Sequence, residues 1–312
     1  MFAIAVAAVA MAAEPQRIET GRFVYHLSVP KLLPAIDSLL GRTESKLRIL
    51  LRDSLDYKPE VYIADDEQSF EQVVGGKFPD WGAAAALPQR RLMALKSPLS
   101  FNLNRSFDEL LAHEFSHLAL AHRTGFYSVP RWFDEGLAMY VSLEWSWSDN
   151  LAMSKAAVFR QLLTLDTIEF VNRFSEGSAH VAYATSYMAV AYLYKQYGVE
   201  AVNQMLDSIA RGRTIDVALA GATGSSYADF EKEFRVYLDS RFNATSLMAD
   251  TMYFWMALAL ILILGGYLQF RRRRAYYKKW EKEDQYESKD FDYGDPEKLE
   301  QPDDEDDEPW RA

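Results

Sequence analysis

The stretch "LAHEFSHL" at residues 111–118 places two histidines and a glutamate in an otherwise apolar segment. His113 and His117 are four residues apart, so on a helix both imidazoles project from one face and can bind the same ion. Glu114 lies about 100° round the helix from His113, too far to share that ion easily but able to reach a water bound to it. This H-E-x-x-H spacing indicates a zinc site at which Glu114 takes a proton from a water.

A second segment, "VPRWFDEGLAMYVS" at residues 129–142, offers a third ligand. Pro130 favours a helix start just before Glu135, and the glycine in the preceding "HRTGFYS" lets the chain turn back antiparallel. Glu135 then completes a three-ligand site with its fourth position open to water and substrate. Gly136 costs roughly 1 kcal/mol inside a helix, which favours a close approach of another element there. The alternative is that Asp134 and Glu135 only stabilise a helix N-terminus.

The segments around these motifs predict an α+β fold. "RFVYHLS" and "PEVYIA" have strand patterns, and a helical segment at about residues 30–55 separates them. "WGAAAALP" and "RLMALKS" are read as two further strands. Residues 100–242 follow a helical pattern, and Ser106 with Glu109 forms a capping box that begins the histidine helix. We therefore expect a mixed sheet lobe followed by a helical lobe, with the metal motif at their junction.

Composition limits the classes of partner and ligand. The 312 residues include no cysteine, so a metal must be held by histidine and carboxylate. The net charge of -11 argues against nucleic acid as a partner, because phosphate binding depends largely on lysine and arginine.

The N-terminal run "MFAIAVAAVAMAA" at residues 1–13 is apolar but too short to span a bilayer. It predicts a secretory signal segment with a small-residue cleavage site at residues 10–12. The usual basic region is missing, which leaves open a different start codon or an uncleaved apolar N-terminus. Residues 14–250 are expected to form an extracytoplasmic domain.

The C-terminal part predicts a membrane anchor. Residues 251–270 contain "MYFWMALALILILGGYLQF", which is uncharged and about as long as one transmembrane helix. The alternative, a buried core helix, is disfavoured by aromatic residues at one edge of the stretch and "RRRR" at the other. By the positive-inside rule the C-terminus is cytoplasmic. The acidic residues 271–312 predict a disordered cytoplasmic tail, which is a candidate segment for a cytoplasmic partner.

"HEFSH" followed by "WFDEGLAMY" resembles the gluzincin superfamily of zinc metallopeptidases, specifically the peptidase MA-like families often found in bacteria. The resemblance covers about residues 20–240. It implies that His113, His117 and Glu135 bind zinc. It also implies that Glu114 is the general base.

The resemblance further implies a tyrosine that stabilises the oxyanion. Gluzincin aminopeptidases place this tyrosine in a Tyr-x-Lys-Gly helix start, and "YATSYMAVAYL" aligns with it at Tyr183. Thr185 stands in place of the lysine and Ser186 in place of the glycine. Tyr187, one turn later, is the competitor. The alternative is that both tyrosines are core residues with satisfied hydroxyls.

The run "WGAAAAL" at residues 81–87 precedes the metal helix, where zincins carry an edge strand that pairs with the substrate backbone. Its small side chains would leave room for a peptide, although an ordinary buried strand or helix of alanines explains it equally well. The other histidines have no assigned role: His26 falls in a strand, His122 points away from His117, and His180 stays unplaced.

These features predict a single-pass cell-membrane protein: a zinc-dependent peptidase facing the periplasm or cell exterior and acting on a peptide or protein. A second hypothesis is a gluzincin-like zinc-binding domain that serves as a non-catalytic binding or assembly module at the cell envelope. Glu114 beside an open metal position weighs against that module, because a scaffold needs no general base. A purely structural zinc predicts a fourth ligand, and the sequence offers none.

Overall fold

The computed structural model describes residues 15–77, 82–171 and 174–286. The predicted signal segment, Trp81 and the part of the predicted tail from residue 287 onward lie outside the described residues. Residues 271–286, which the sequence assigns to a disordered tail, are helical instead, because the C-terminal helix continues beyond its apolar stretch. The strands are β1 (Gln16–Glu19), β2 (Val24–Leu27), β3 (Glu60–Ala64), β4 (Ala84–Leu87) and β5 (Leu92–Lys96). The helices are α1 (Leu33–Leu51), α2 (Glu67–Val74), α3 (Phe107–Arg123), α4 (Arg131–Ser142), α5 (Trp147–Val158), α6 (Leu165–Ile168), α7 (Glu176–Ala210), α8 (Ile215–Thr223), α9 (Tyr227–Arg241) and α10 (Ala244–Tyr286).

The strands form one five-stranded sheet in the order β1-β2-β3-β5-β4. The central strands β2, β3 and β5 are parallel, whereas β1 and β4 pair antiparallel at the two edges. The four predicted strands and the long helix between the first two are all present. The α+β class with a sheet lobe followed by a helical lobe is therefore confirmed.

Two elements of the sheet lobe were not predicted. The first is β1, whose residues are largely exposed, so it joins the sheet edge by backbone pairing without an alternating apolar pattern. The second is α2, which buries Phe70 alone. Asp66 caps its N-terminus, and the Asp66 carboxylate accepts a hydrogen bond from the Ser69 N–H at 2.8 Å. Such short or polar elements give weak periodicity signals.

α3 lies between the sheet and the helical lobe. On the sheet side Phe115 of α3 meets Phe23 edge-on, with ring centroids 5.4 Å apart, and both rings are fully buried. The buried Tyr25 of β2 donates its hydroxyl to Asp37 of α1 at 2.9 Å. The apolar core thus continues from β2 to α1 and α3 and anchors the helix that carries the histidines.

α4 packs against α7 at very short range. A Cβ on Gly136 would lie 2.2 Å from the carbonyl oxygen of Ser186 in α7, which is far inside van der Waals contact. At the end of α4, Lys46 of α1 donates to the carbonyl oxygens of Tyr140 and Val141 at 3.0 and 2.9 Å. These contacts set the position of α4, as the glycine in the predicted helix suggested.

The described residues up to Asp250 form one compact unit, and those from Thr251 form a second. α10 contains a stretch that is long and apolar enough to cross a membrane, and its side chains are exposed. Within the first unit, Ser154 of α5 donates to Asp250 at 3.1 Å.

Candidate metal centre

α3 places the two motif histidines side by side. It begins with the predicted capping box, in which the Ser106 hydroxyl accepts from the Glu109 N–H at 3.2 Å and the Glu109 carboxylate accepts from the Ser106 N–H at 3.1 Å. About two and three turns after Ser106, the rings of His113 and His117 meet edge-on with centroids 4.9 Å apart. Helical spacing alone produces this pairing.

Glu135 reaches the same place from α4. The chain turns at Gly125, whose φ of +60° favours glycine, and α4 returns beside α3. Nε2 of His113 is 3.5 Å from a carboxylate oxygen of Glu135. One nitrogen or oxygen from each of His113, His117 and Glu135 lies within 4.8 Å of the others. Two imidazoles and a carboxylate at this spacing fit the donor set of a zinc ion.

Each histidine is held by a carboxylate on its other nitrogen. Nδ1 of His113 is 2.8 Å from Glu144, which follows α4, and Nδ1 of His117 is 2.6 Å from Asp134. A carboxylate accepts, so each Nδ1 donates and each Nε2 is free for a metal. Such partners orient metal-binding imidazoles and raise their basicity.

Sequence reasoning missed both of these carboxylates. The sequence gives Asp134 only the role of a helix N-terminal charge, although its position beside Glu135 is a usable signal. Nothing in the local sequence marks Glu144 as a partner of His113. Ser142, two residues earlier, donates to it at 2.7 Å, and the distant Arg105 donates to it at 2.8 Å.

In the metal-free protein the pKa values of both imidazoles are raised. Burial by itself lowers the pKa of His113, but hydrogen bonding to Glu135 and Glu144 outweighs burial and raises the pKa to about 10. Burial also opposes charge on His117, and Asp134 outweighs it and raises the pKa to about 9. Protons and a metal ion therefore compete for the same nitrogens.

The pKa values of Glu135 and Glu144 are shifted in the opposite direction, downward. Burial alone would raise the pKa of Glu135, but hydrogen bonding to His113 and the charges of His117 and Arg131 hold it at about 2. The pKa of Glu144 is lowered, because the hydrogen bond and charge of His113 outweigh burial. Both side chains are thus anionic at neutral pH, as metal binding and imidazole orientation require.

The ionisable groups around the imidazoles carry an excess of negative charge. With neutral histidines and an ionised Glu114, four carboxylates against two guanidiniums leave two unbalanced negative charges, which a divalent cation would neutralise. These side chains are the carboxylates of Glu114, Asp134, Glu135 and Glu144 and the guanidiniums of Arg105 and Arg131.

Glu114 lies beside the three-residue group rather than in it. Its side chain is buried between α3 and the edge strand β4, where burial raises its pKa and the charges of His113 and His117 oppose the rise. The backbone of Ala86 in β4 faces this carboxylate and opposes the rise in its pKa. A carboxylate with a raised pKa next to a metal position suits proton transfer.

Of the two tyrosines, Tyr183 is the one near this site. Burial raises the pKa of its phenol, the charge of Glu135 adds to the rise, and Arg131 and Arg105 oppose it. Tyr187 instead stacks on Trp145 with ring centroids 4.7 Å apart. The structure therefore brings Tyr183 to the predicted ligand group and places Tyr187 in an aromatic cluster.

The other features considered in the sequence are the alanine run and the three remaining histidines. β4 is an edge strand, as expected for the alanine run, and its residues are half-buried. The other histidines pair with carboxylates away from the three-residue group: His26 with Glu60 at 3.1 Å, His122 with Asp53 at 2.7 Å and His180 with Asp149 at 2.8 Å.

Comparison with known proteins gives matches of three kinds: a related sequence, a solved structure and a family model. The chain is 24% identical over 155 residues to the uncharacterized protein YhcO of Bacillus subtilis (strain 168), covering 47% of this chain and 45% of that protein. It thus spans less than half the length of that relative. The crystal structure of an M1 zinc metallopeptidase from Deinococcus radiodurans matches with a TM-score of 0.37 and 18% identity, covering 73% of this chain and 52% of that one. The family model for the Peptidase MA superfamily matches residues 60–240, which is more than half of the chain, and the protein therefore belongs to the Peptidase MA superfamily.

Proposed function

We propose that this protein is a zinc-dependent peptidase anchored in the cell membrane by a single C-terminal helix. The observation that carries the proposal is the convergence of donor atoms from His113, His117 and Glu135 within 4.8 Å, with Glu114 buried beside them. Membership of the Peptidase MA superfamily supports a peptidase over other zinc proteins. The carboxylates on both imidazoles support a metal site built for function rather than two core histidines.

His113, His117 and Glu135 would hold the zinc. When bound, zinc acidifies a water and polarises a carbonyl oxygen. The Glu114 carboxylate would take a proton from the water as the oxygen of that water attacks the peptide carbonyl carbon. Glu114 then passes that proton to the amine nitrogen as the C–N bond breaks, so the base returns to its starting state.

Tyr183 and β4 would position the substrate. The Tyr183 hydroxyl donates to the carbonyl oxygen as negative charge develops on it. The edge strand β4 carries small side chains at Ala84–Ala86, and its free edge suits backbone pairing with an extended peptide. Since Ala86 also contacts Glu114, a peptide paired along β4 would lie next to the general base.

The proposed location follows from the C-terminal sequence. α10 includes the apolar residues 251–270, and "RRRR" follows them directly. The positive-inside rule then places residues 14–250 in the periplasm or outside the cell and the acidic residues 271–312 in the cytoplasm. The substrate would be an extracytoplasmic peptide or protein, and the tail would be available to a cytoplasmic partner.

The test uses the full chain in detergent micelles. Metal content by mass spectrometry should show about one zinc per chain in the wild type and a loss in His113→Ala and Glu135→Ala. Glu114→Gln should keep zinc but hydrolyse a quenched fluorescent peptide library about 10²- to 10⁴-fold more slowly.

Glu60→Gln, which changes a carboxylate–histidine pair outside the site, is the matched control and should behave as wild type. Full hydrolysis by Glu114→Gln would rule out the proposed general base. Stoichiometric zinc without cleavage of any peptide would favour the non-catalytic envelope module.

A further inference from the structure

Two arginines flank the candidate metal centre. Arg131 is the first residue of α4 and Arg105 precedes α3. Their side chains are 29% and 42% exposed, so both arginines are in part open to solvent. Both also act on the phenol of Tyr183, where their charges oppose the rise in its pKa caused by burial. The two cations therefore lie on the Tyr183 side of the site.

Arg131 has hydrogen-bonding capacity that the described residues leave unused. Its Nη2 is 3.3 Å from Oε1 of Glu135, but its Nε is buried and has no hydrogen-bond partner among the described residues. A guanidinium offers five N–H donors in a rigid fork, and a buried donor without a partner is costly. Satisfying this donor requires an acceptor that the described residues do not supply.

The Glu135 carboxylate separates Arg131 from the imidazoles. Its Oε2 faces Nε2 of His113 at 3.5 Å, while its Oε1 faces Arg131. Arg131 thus touches the outer edge of a predicted metal ligand. A group held by Arg131 would therefore lie next to the position of the reacting carbonyl.

Arg105 is anchored in a similar way. Its Nη1 contacts Oε2 of the buried Glu144 at 2.8 Å, and Glu144 in turn holds His113. This contact uses one edge of the guanidinium and leaves the rest of a half-exposed side chain at the site. Two arginines with free donors, fixed by different carboxylates of the metal centre, suit an anionic group of the substrate.

We propose that Arg131, assisted by Arg105, binds a carboxylate of the substrate beside the scissile bond. The preferred substrates are then peptides that carry either a free C-terminal carboxylate or an acidic side chain close to the cleaved bond. This inference rests on the proposed peptidase function. Planar bidentate pairing between guanidinium and carboxylate provides the recognition, and lysine cannot reproduce it.

The test measures binding rather than turnover. Fluorescence anisotropy would use the full-length, zinc-loaded Glu114→Gln variant in detergent micelles. It would compare three labelled hexapeptides with one shared neutral sequence: an amidated peptide, the same peptide with a free C-terminus, and the amidated peptide with one central glutamate. At least one carboxylate peptide should bind about 10-fold or more tightly than the neutral amide. Preference for the free C-terminus or for the glutamate identifies which carboxylate is recognised.

Substitutions of Arg131 and Arg105 test whether these side chains cause the preference for carboxylate peptides. In the Glu114→Gln background, Arg131→Gln should reduce the carboxylate preference to within about twofold, and Arg131→Lys should restore little of it. Arg105→Gln should reduce it in part. Arg42→Gln removes an equal charge from an exposed arginine on α1 and should leave the preference unchanged. Zinc content measured in parallel shows whether Glu135 still binds the metal.

The outcomes separate this inference from the proposed function. Equal binding of all three peptides, no binding of any, or a preference that survives Arg131→Gln with zinc retained would overturn carboxylate recognition. Hydrolysis of neutral amides by the wild type in that case would leave the peptidase function intact. Arginine-dependent carboxylate binding without hydrolysis by the wild type would support the inference and count against the peptidase.

Discussion

The Glu144 carboxylate lies 2.8 Å from Nδ1 of His113, although 31 positions separate the two residues in the chain. Because a carboxylate only accepts hydrogen bonds, this contact fixes the proton of neutral His113 on Nδ1 and turns Nε2 toward Glu135. Arg105 and Ser142 hold the carboxylate in turn, so the orientation of the imidazole depends on the segment before α3 and on the end of α4.

Glu144→Gln should weaken zinc binding by about 10- to 100-fold while the protein stays folded. The amide keeps an acceptor for Nδ1 but loses the negative charge that raises imidazole basicity. Competition with a chromophoric chelator measures the affinity. Glu60→Gln makes the same change at the pair with His26 and should have no effect. Equal affinities for the Glu144 variant and the wild type would contradict an orienting role for this residue.

The stabilisation conferred by zinc should increase with pH. The pKa values of His113 and His117 are raised from 6.5 to about 10 and about 9, so their ion pairs stabilise the metal-free protein fully below pH 6.5. That stabilisation is lost as the pH rises through 9 to 10. Zinc needs neutral imidazoles, so its binding becomes stronger over the same range.

Thermal unfolding with zinc and with a chelator, from about pH 5.5 to 9, measures this difference. The gap between the two melting temperatures should widen with pH. His113→Ala should abolish the gap, while His122→Ala, which changes a histidine outside the site, should keep it. A gap that narrows as the pH rises would contradict the proposed competition between protons and metal.

Gly136→Ala should destabilise the protein by about 1–3 kcal/mol, because the new Cβ meets the Ser186 carbonyl oxygen at 2.2 Å. Steric overlap with backbone outweighs the gain of roughly 1 kcal/mol that alanine usually brings to a helix. Gly221→Ala in α8 has open space around its Cβ and should be neutral or stabilising. Chemical denaturation of both variants measures the difference. Equal stability changes would show that α4 and α7 do not need this close contact.

Tyr183→Phe should lower kcat by about 10²- to 10³-fold with little change in zinc content, because it removes a donor to the developing oxyanion. Tyr187→Phe keeps the ring that stacks on Trp145 and should retain nearly full activity. Steady-state kinetics on one cleaved peptide compares the two. If the two variants showed the reverse order, Tyr187 would take the proposed role.

Much of the candidate site could be predicted because it depends on local geometry. Spacing along a helix determines that His113 and His117 share a face, and the capping box at Ser106 locates that helix. The glycine after α3 predicted the turn that brings Glu135 back. Short apolar runs predicted strands β2, β3 and β5. The polar β1 and the short α2 have no such run and were not predicted.

The sequence by itself determined which residues could bind a metal and act as a base, because helical periodicity relates neighbours three and four positions apart. The tertiary structure alone decided which carboxylates hold those histidines, which tyrosine approaches them and where the two arginines lie. Arg105, Glu144 and Tyr183 come from three different parts of the chain. Their meeting depends on packing of α3, α4 and α7 around one core, and no local pattern encodes such long-range contacts.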